Sequence, residues 1–221
     1  MRKIICAVIL LTIVSEINPV SAQVLRRGVY DRRFGRVRLP PKQQATNTPS
    51  FEPTVNISVG YGFPNLDKYA LPELYNYYKG SYSQTGPLTG SVDYQFSRTM
   101  SIGVLVTHGK VSVPYYAYNN NSSPALNGSL ENWSFMLNLV RYIPVSGSKV
   151  APYLRTAIGI NSWQQNFTDD GGNKVNVAFN PQDLAYQVGL GAKFNLSKKA
   201  GLFVEAGYGK YILNGGLAVK F

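Results

Sequence analysis

"NWSFMLNLV", residues 132–140, alternates without a break. Trp133, Phe135, Leu137 and Leu139 are large and apolar, and Ser134, Met136 and Asn138 stand between them. Strand side chains point to opposite faces with a period of two. A helix would instead bring apolar residues together every three to four positions. The stretch therefore predicts a strand with one apolar face.

The pattern repeats on both sides. Residues 55–62, 88–96, 100–106, 152–161, 185–194, 202–208 and 216–221 alternate in the same way, with Leu105 as a blemish on the polar face of its segment. A single alternating segment is a weak signal. Eight in succession predict an all-β chain, because helical periodicity would break the phase. The connections alternate too. Long stretches at 63–85, 109–129 and 163–182 are interleaved with short ones at 97–99, 144–149 and 196–201; the last, around Lys210–Leu213, is short where a long one is due. One plain rim and one decorated rim are the mark of an antiparallel up-and-down transmembrane β-barrel. The expected fold is such a barrel, eight-stranded, over residues 54–221.

Alternation alone also fits a soluble lipocalin-like carrier, whose apolar face points inward. Three features favour the membrane. The non-apolar face is mostly Gly, Ala, Ser and Asn, which suits a narrow eight-stranded lumen. Aromatics lie near strand ends on the apolar face: Tyr61, Trp133, Tyr186 and Tyr208 toward the long loops, and Phe96, Phe194 and Phe221 toward the short turns. Those are the places of the two aromatic girdles. Finally, Asp93, Arg155, Lys193 and Glu205 all fall on the inward phase. On the lipid face near mid-membrane such a charge would cost about 2–4 kcal/mol. These four are expected to form a salt-bridged lumen network, a plug rather than a pore, since unpaired charges in a closed lumen are costly. Arg141 lies on the apolar phase beside a short turn, from which it can snorkel.

The start of the chain has another character. Arg2 and Lys3 precede an apolar run over Ile4–Val14, and Val20-Ser21-Ala22 is a small-residue exit. Residues 1–22 are expected to be a signal peptide, cleaved between Ala22 and Gln23. The run is too short for a membrane-spanning helix. Cys6 is the only cysteine and lies inside this peptide, so disulfides and thiolate metal sites are excluded from the mature chain. The net charge is +11. Residues 23–53 hold seven Lys/Arg against Asp31 and Glu52 and are rich in Pro, Gln and Thr. They read first as a flexible periplasmic arm. The functional alternative is contact with an anionic surface, lipid headgroups or an envelope polymer. An exported chain is not expected to meet nucleic acid.

The signal peptide, the eight alternating segments, "VAPYLRTAIGI" (150–160) and the final Phe221 together resemble the small OmpA/OmpX-like outer-membrane β-barrel proteins of Gram-negative bacteria, including the Bacteroidetes-type versions. The resemblance covers about residues 54–221. It implies a monomer in the cell outer membrane, surrounded by outer-membrane lipid. It also implies that Leu217, Val219 and Phe221 form the signal read by the barrel-assembly machinery.

Catalysis finds little support. Some small barrels deacylate lipids with His, Ser and an acid at the outer rim. His108 is the sole histidine, yet "THGKVS" (107–112) lacks the His-any-Ser pattern, and Ser112 is four residues away. A narrow pore through the lumen is a further alternative. "TDDGGN" (168–173) has paired carboxylates but not the spacing of a calcium loop; turn chemistry explains it better. No cofactor or metal is expected. The loops "YNYYKGSYSQ" (75–84) and "PYYAYNNNSS" (114–123) have the Tyr/Ser/Asn composition of contact surfaces. A non-enzymatic structural or surface-contact role through these loops is the expected function.

Overall fold

The computed structural model describes residues 51–119, 122–145 and 149–221. The expected signal peptide, its cleavage site at Ala22 and Gln23, and residues 23–50 of the basic segment lie outside the described residues. Among the described residues nine strands form one antiparallel sheet: β1 (Thr54–Phe63), β2 (Tyr77–Lys79), β3 (Ser83–Gln95), β4 (Met100–Ala117), β5 (Leu126–Tyr142), β6 (Val150–Asp169), β7 (Leu184–Asn195), β8 (Ala200–Tyr208) and β9 (Leu213–Lys220). Eight of them close a ring. β1 pairs with both β3 and β9, and the β4–β5 pairing completes the circuit. The short β2 is extra and pairs with the end of β4.

The apolar phase faces outward, as the small polar face, the girdle aromatics and the inward charges together predict. Val59, Leu88, Val92, Leu137, Ile160, Leu190 and Leu217 are all exposed. Asn56, Thr89, Ser91, Asn138, Gln187 and Asn214 are buried inside. This is the inverse of a lipophilic carrier and the arrangement of a membrane barrel. Both expected girdles stand on the outer face. From Trp133 to Arg141 on β5, at about 3.4 Å per residue and a tilt of about 40°, the apolar band is roughly 21 Å tall, close to that of bacterial barrels.

Glycines let large lumen side chains lie across the ring. A Cβ on Gly60 would sit 2.7 Å from the Phe203 ring, and one on Gly191 would collide with the Tyr153 ring.

Three sequence expectations need correction. Residues 109–129 and 163–182 are not wholly loops: β4, β5 and β6 run on through much of them as paired strands. The stretch 63–85 is also structured, holding a single 3-10 turn over Leu66–Ala70, β2 and the start of β3. Lastly, Leu105 is no blemish. It points inward and packs with Met136, Ala157 and Ala185 in a small apolar layer of the lumen.

The strand extensions escaped the sequence reading because their polarity inverts. On β4 the outward residues are Ile102, Val104 and Val106, then Lys110 and Ser112. The inward residues beyond that point are Val111, Val113 and Tyr115. On β5 the inward side becomes Leu126 and Leu130, and on β6 Phe167. These side chains join Leu71 in one buried cluster. Below the switch the outside is apolar and the inside polar; above it the reverse holds. Water replaces lipid as the outer solvent at that level, and the burial rule turns over with it.

Candidate functional site

The lumen is crossed by two polar layers. In the lower one, Arg155 on β6 meets Glu205 on β8, with Nε 2.9 Å from Oε2. The contact is close but not aligned as a hydrogen bond. Glu205 has no exposed surface. It accepts from the Tyr211 hydroxyl at 2.8 Å and the Tyr153 hydroxyl at 3.0 Å. Asp93 on β3 accepts from Asn138 at 2.6 Å and Ser91 at 2.8 Å. Arg155 and Glu205 thus pair, and Asp93 lies within electrostatic reach of Arg155. Lys193 does not join them by an ion pair; its amino group donates to Asn56 Oδ1 at 3.0 Å.

The upper layer was not legible. The 3-10 turn dips into the outer mouth and carries Asp67 with it. Asn65 caps the turn, its Oδ1 accepting from the Asp67 N–H at 3.0 Å. Lys210, in the β8–β9 connection, donates to Asp67 Oδ1 at 2.6 Å and to Asn161 Oδ1 at 2.9 Å. Asn132 donates to Asp67 Oδ2 at 3.0 Å. The backbone follows: the Lys210 N–H donates to Gln187 Oε1 at 2.7 Å, and the Leu66 N–H to the Lys210 carbonyl at 3.1 Å. Both ions are buried. A buried pair of this kind persists only where further hydrogen bonds satisfy it, and here Asn132 and Asn161 supply them.

The sheet extension stands above this plug. Its inner cluster includes Tyr115, whose hydroxyl donates to the Pro72 carbonyl at 2.8 Å. Burial pushes that phenol up to about 12. Beside it, Tyr75, Tyr77, Tyr78 and Tyr118 wall a groove of about 490 Å3. Tyr78 stacks on Tyr116 with centroids 5.3 Å apart. Tyr75 is 91% exposed.

The catalytic candidates are not assembled. His108 stacks on Trp133 at 4.1 Å and faces Glu131 at 3.8 Å. The Ser112 hydroxyl donates to Ser129, 3.1 Å away, rather than to His108. In "TDDGGN" the Asp169 carboxylate is taken up by the turn: it accepts the Asn173 N–H at 2.7 Å and the Asn173 side-chain amide at 3.2 Å. These bonds hold it below the usual carboxylate range. Among the described residues no three His, Cys, Asp or Glu side chains gather where a metal ion could bind.

Leu217, Val219 and Phe221 all point outward from the last strand. Phe221 bonds Val55 in both directions: its N–H donates at 2.8 Å, and its carbonyl accepts at 3.1 Å.

A closed antiparallel ring with an apolar outer belt and a polar filled lumen is the arrangement of a transmembrane β-barrel. Residues 41–220 match the family described as outer membrane protein beta-barrel domain. The chain belongs to that family. It is a β-barrel protein of the outer membrane. Solved structures similar to it include the N-terminal β-barrel domain of OprF from Pseudomonas aeruginosa, at 14% identity over 76% of this chain and 97% of that one, TM-score 0.38. Another is Ail, the attachment invasion locus protein of Yersinia pestis, solved with the heparin analogue sucrose octasulfate, at 12% identity over 76% and 97%, TM-score 0.41. A de novo designed transmembrane β-barrel is similar at 19% identity over 76% and 95%, TM-score 0.40. No curated protein matches the sequence. The family assignment rests on the match to the family.

Proposed function

We propose that this outer-membrane barrel is a sealed, non-enzymatic surface protein that makes contacts through its outer extension. One observation carries the reading: the tyrosine-walled groove beside β2, held above the membrane by a buried core. Tyr supplies large, rigid contact area at low conformational cost, and exposed aromatic patches of this kind mark interaction surfaces. The two polar layers support sealing over conduction. The separation of Ser112 from His108 supports contact over acyl transfer.

The rest of the reading follows the family resemblance. Residues 1–22 export the chain, with cleavage between Ala22 and Gln23. Leu217, Val219 and Phe221 serve as the recognition signal for the barrel-assembly machinery. The chain works as a monomer surrounded by outer-membrane lipid. The basic residues of 23–53 suit an anionic envelope polymer.

Changing Tyr75, Tyr78 and Tyr118 together to Ser tests the surface role. Cells bearing the variant are expected to lose adherence to surfaces that hold cells bearing the native chain, while the amount of folded barrel stays the same. Equal adherence would overturn the contact reading and leave a structural role. His108→Ala is expected to leave lipid acylation unchanged; a changed lipid profile would revive the enzyme.

A further inference from the structure

The inner mouth of the barrel, at the short-turn end, gathers positive charge. Lys193 on β7, Lys220 on β9 and Arg98 in the β3–β4 turn line one pocket of about 390 Å3. Its polar wall includes the amides of Asn56, Gln95 and Asn195 and the hydroxyl residues Thr99 and Tyr142, and among the described residues no carboxylate lines it. Among the described residues neither lysine forms an ion pair. The nearest inward acid on β3, Asp93, bonds Ser91 and Asn138 and acts on Lys193 through space, without an ion pair.

Asn56 is the second observation. It is 5% exposed, and it sits opposite Lys220 in the β1–β9 register. Its Oδ1 takes the Lys193 proton donor. Its Nδ2 has no partner. Asn56 forms part of the pocket wall and also of a cavity of about 30 Å3 just inside it. A buried amide donor without an acceptor is unfavourable, and like charges converging at a low-dielectric mouth repel. One ligand would relieve both: an oxyanion that accepts from Asn56 Nδ2 and neutralises the two lysines.

We propose that the inner mouth binds a phosphate group, with Lys193, Lys220 and Asn56 as its principal contacts. Ile143 and Val150 form part of the same pocket. Their apolar side chains suit a phosphate carried on an acyl lipid as well as a free phosphate ester. The phosphate is the shared chemistry.

The test is calorimetric titration of the full chain, in a phosphate-free maltoside micelle, with inorganic phosphate at constant ionic strength. Saturable one-to-one binding is expected. Lys193→Gln and Lys220→Gln should each weaken it by about tenfold or more, since each removes a charge-assisted contact. Asn56→Asp should abolish it while keeping the bond to Lys193, which separates a ligand role from a structural one. Retained heat-modifiability would certify that each variant is folded. No saturable heat from the native chain, or equal heat from chloride, would overturn the proposal, as would native affinity in all three variants. Repeating the titration after reconstitution into phosphatidylglycerol vesicles assigns the source. Binding lost there means lipid headgroups already fill the site, and binding kept means a soluble phosphate does.

Discussion

Glu205 decides more than its single charge suggests. Fully buried, it holds Arg155, Tyr153 and Tyr211 around one carboxylate. Glu205→Gln keeps the shape and strands the Arg155 charge in the lumen. Breaking a buried pair from one side costs about 3–5 kcal/mol, so the urea midpoint of the variant in lipid vesicles should fall markedly. Replacing both partners, Arg155→Met with Glu205→Leu, should cost less than Glu205→Gln alone, because no charge is left unpaired. A double variant weaker than Glu205→Gln would show that the tyrosine bonds, not the charge, matter most. The sequence exposed these two residues because they lie on regular strands, where phase alone assigns a face. Asp67 and Lys210 lie in connections with no phase to read. Lys193 lies on the inward phase, but its partner, Asn56, is uncharged, and the alternation places it on the polar face without marking it as a partner.

At the scale of the strand, the inversion on β4–β6 sets the outer membrane boundary between His108 and Ser112. Cysteine substitution can map it, since the only native cysteine, Cys6, lies in the expected signal peptide. On intact cells a membrane-impermeant maleimide should label Ser112→Cys on the watery outer face. It should miss Val104→Cys, which faces lipid, and Val111→Cys, which is buried in the inner cluster. Labelling of Val104→Cys as fast as Ser112→Cys would put the boundary lower and undo the account. The same inversion explains what the sequence hid. Within the bilayer, one rule of alternation held across every strand and marked the ring, while the small polar face, the girdle aromatics and the charges assigned its inward side. Above the bilayer the alternation continued with its faces exchanged, from Val106 outward to Val111 inward, and so resembled loop. A reading that allowed the phase to switch at Lys110, Glu131 and Gln164 would have found the extension. The 3-10 plug would still have been missed, because its position depends on tertiary bonds to Asn132, Asn161 and Lys210.

For the molecule as a whole, the two layers make sealing redundant. The upper layer closes on Asp67–Lys210 and the lower on Arg155–Glu205, and the cavity beside the lower layer measures only about 30 Å3. That volume holds about two or three waters, since a water needs roughly 10–15 Å3 of this measure, and a continuous ion path needs far more. The native chain in a planar bilayer should therefore give no stepwise conductance. Asp67→Ala with Lys210→Ala should still give none, because the lower layer stays shut. Adding Arg155→Ala, Glu205→Ala and Tyr153→Ala should open the lumen to single-channel steps, provided heat-modifiability shows that the ring remains closed. The order of these outcomes carries the logic. Conductance after the upper pair alone would mean that the lower layer yields to water once the plug is gone, so that the 3-10 turn acts as a gate. Regular steps from the native chain would mean that both layers part in the membrane, and the protein would be a narrow channel whose basic inner mouth draws anions.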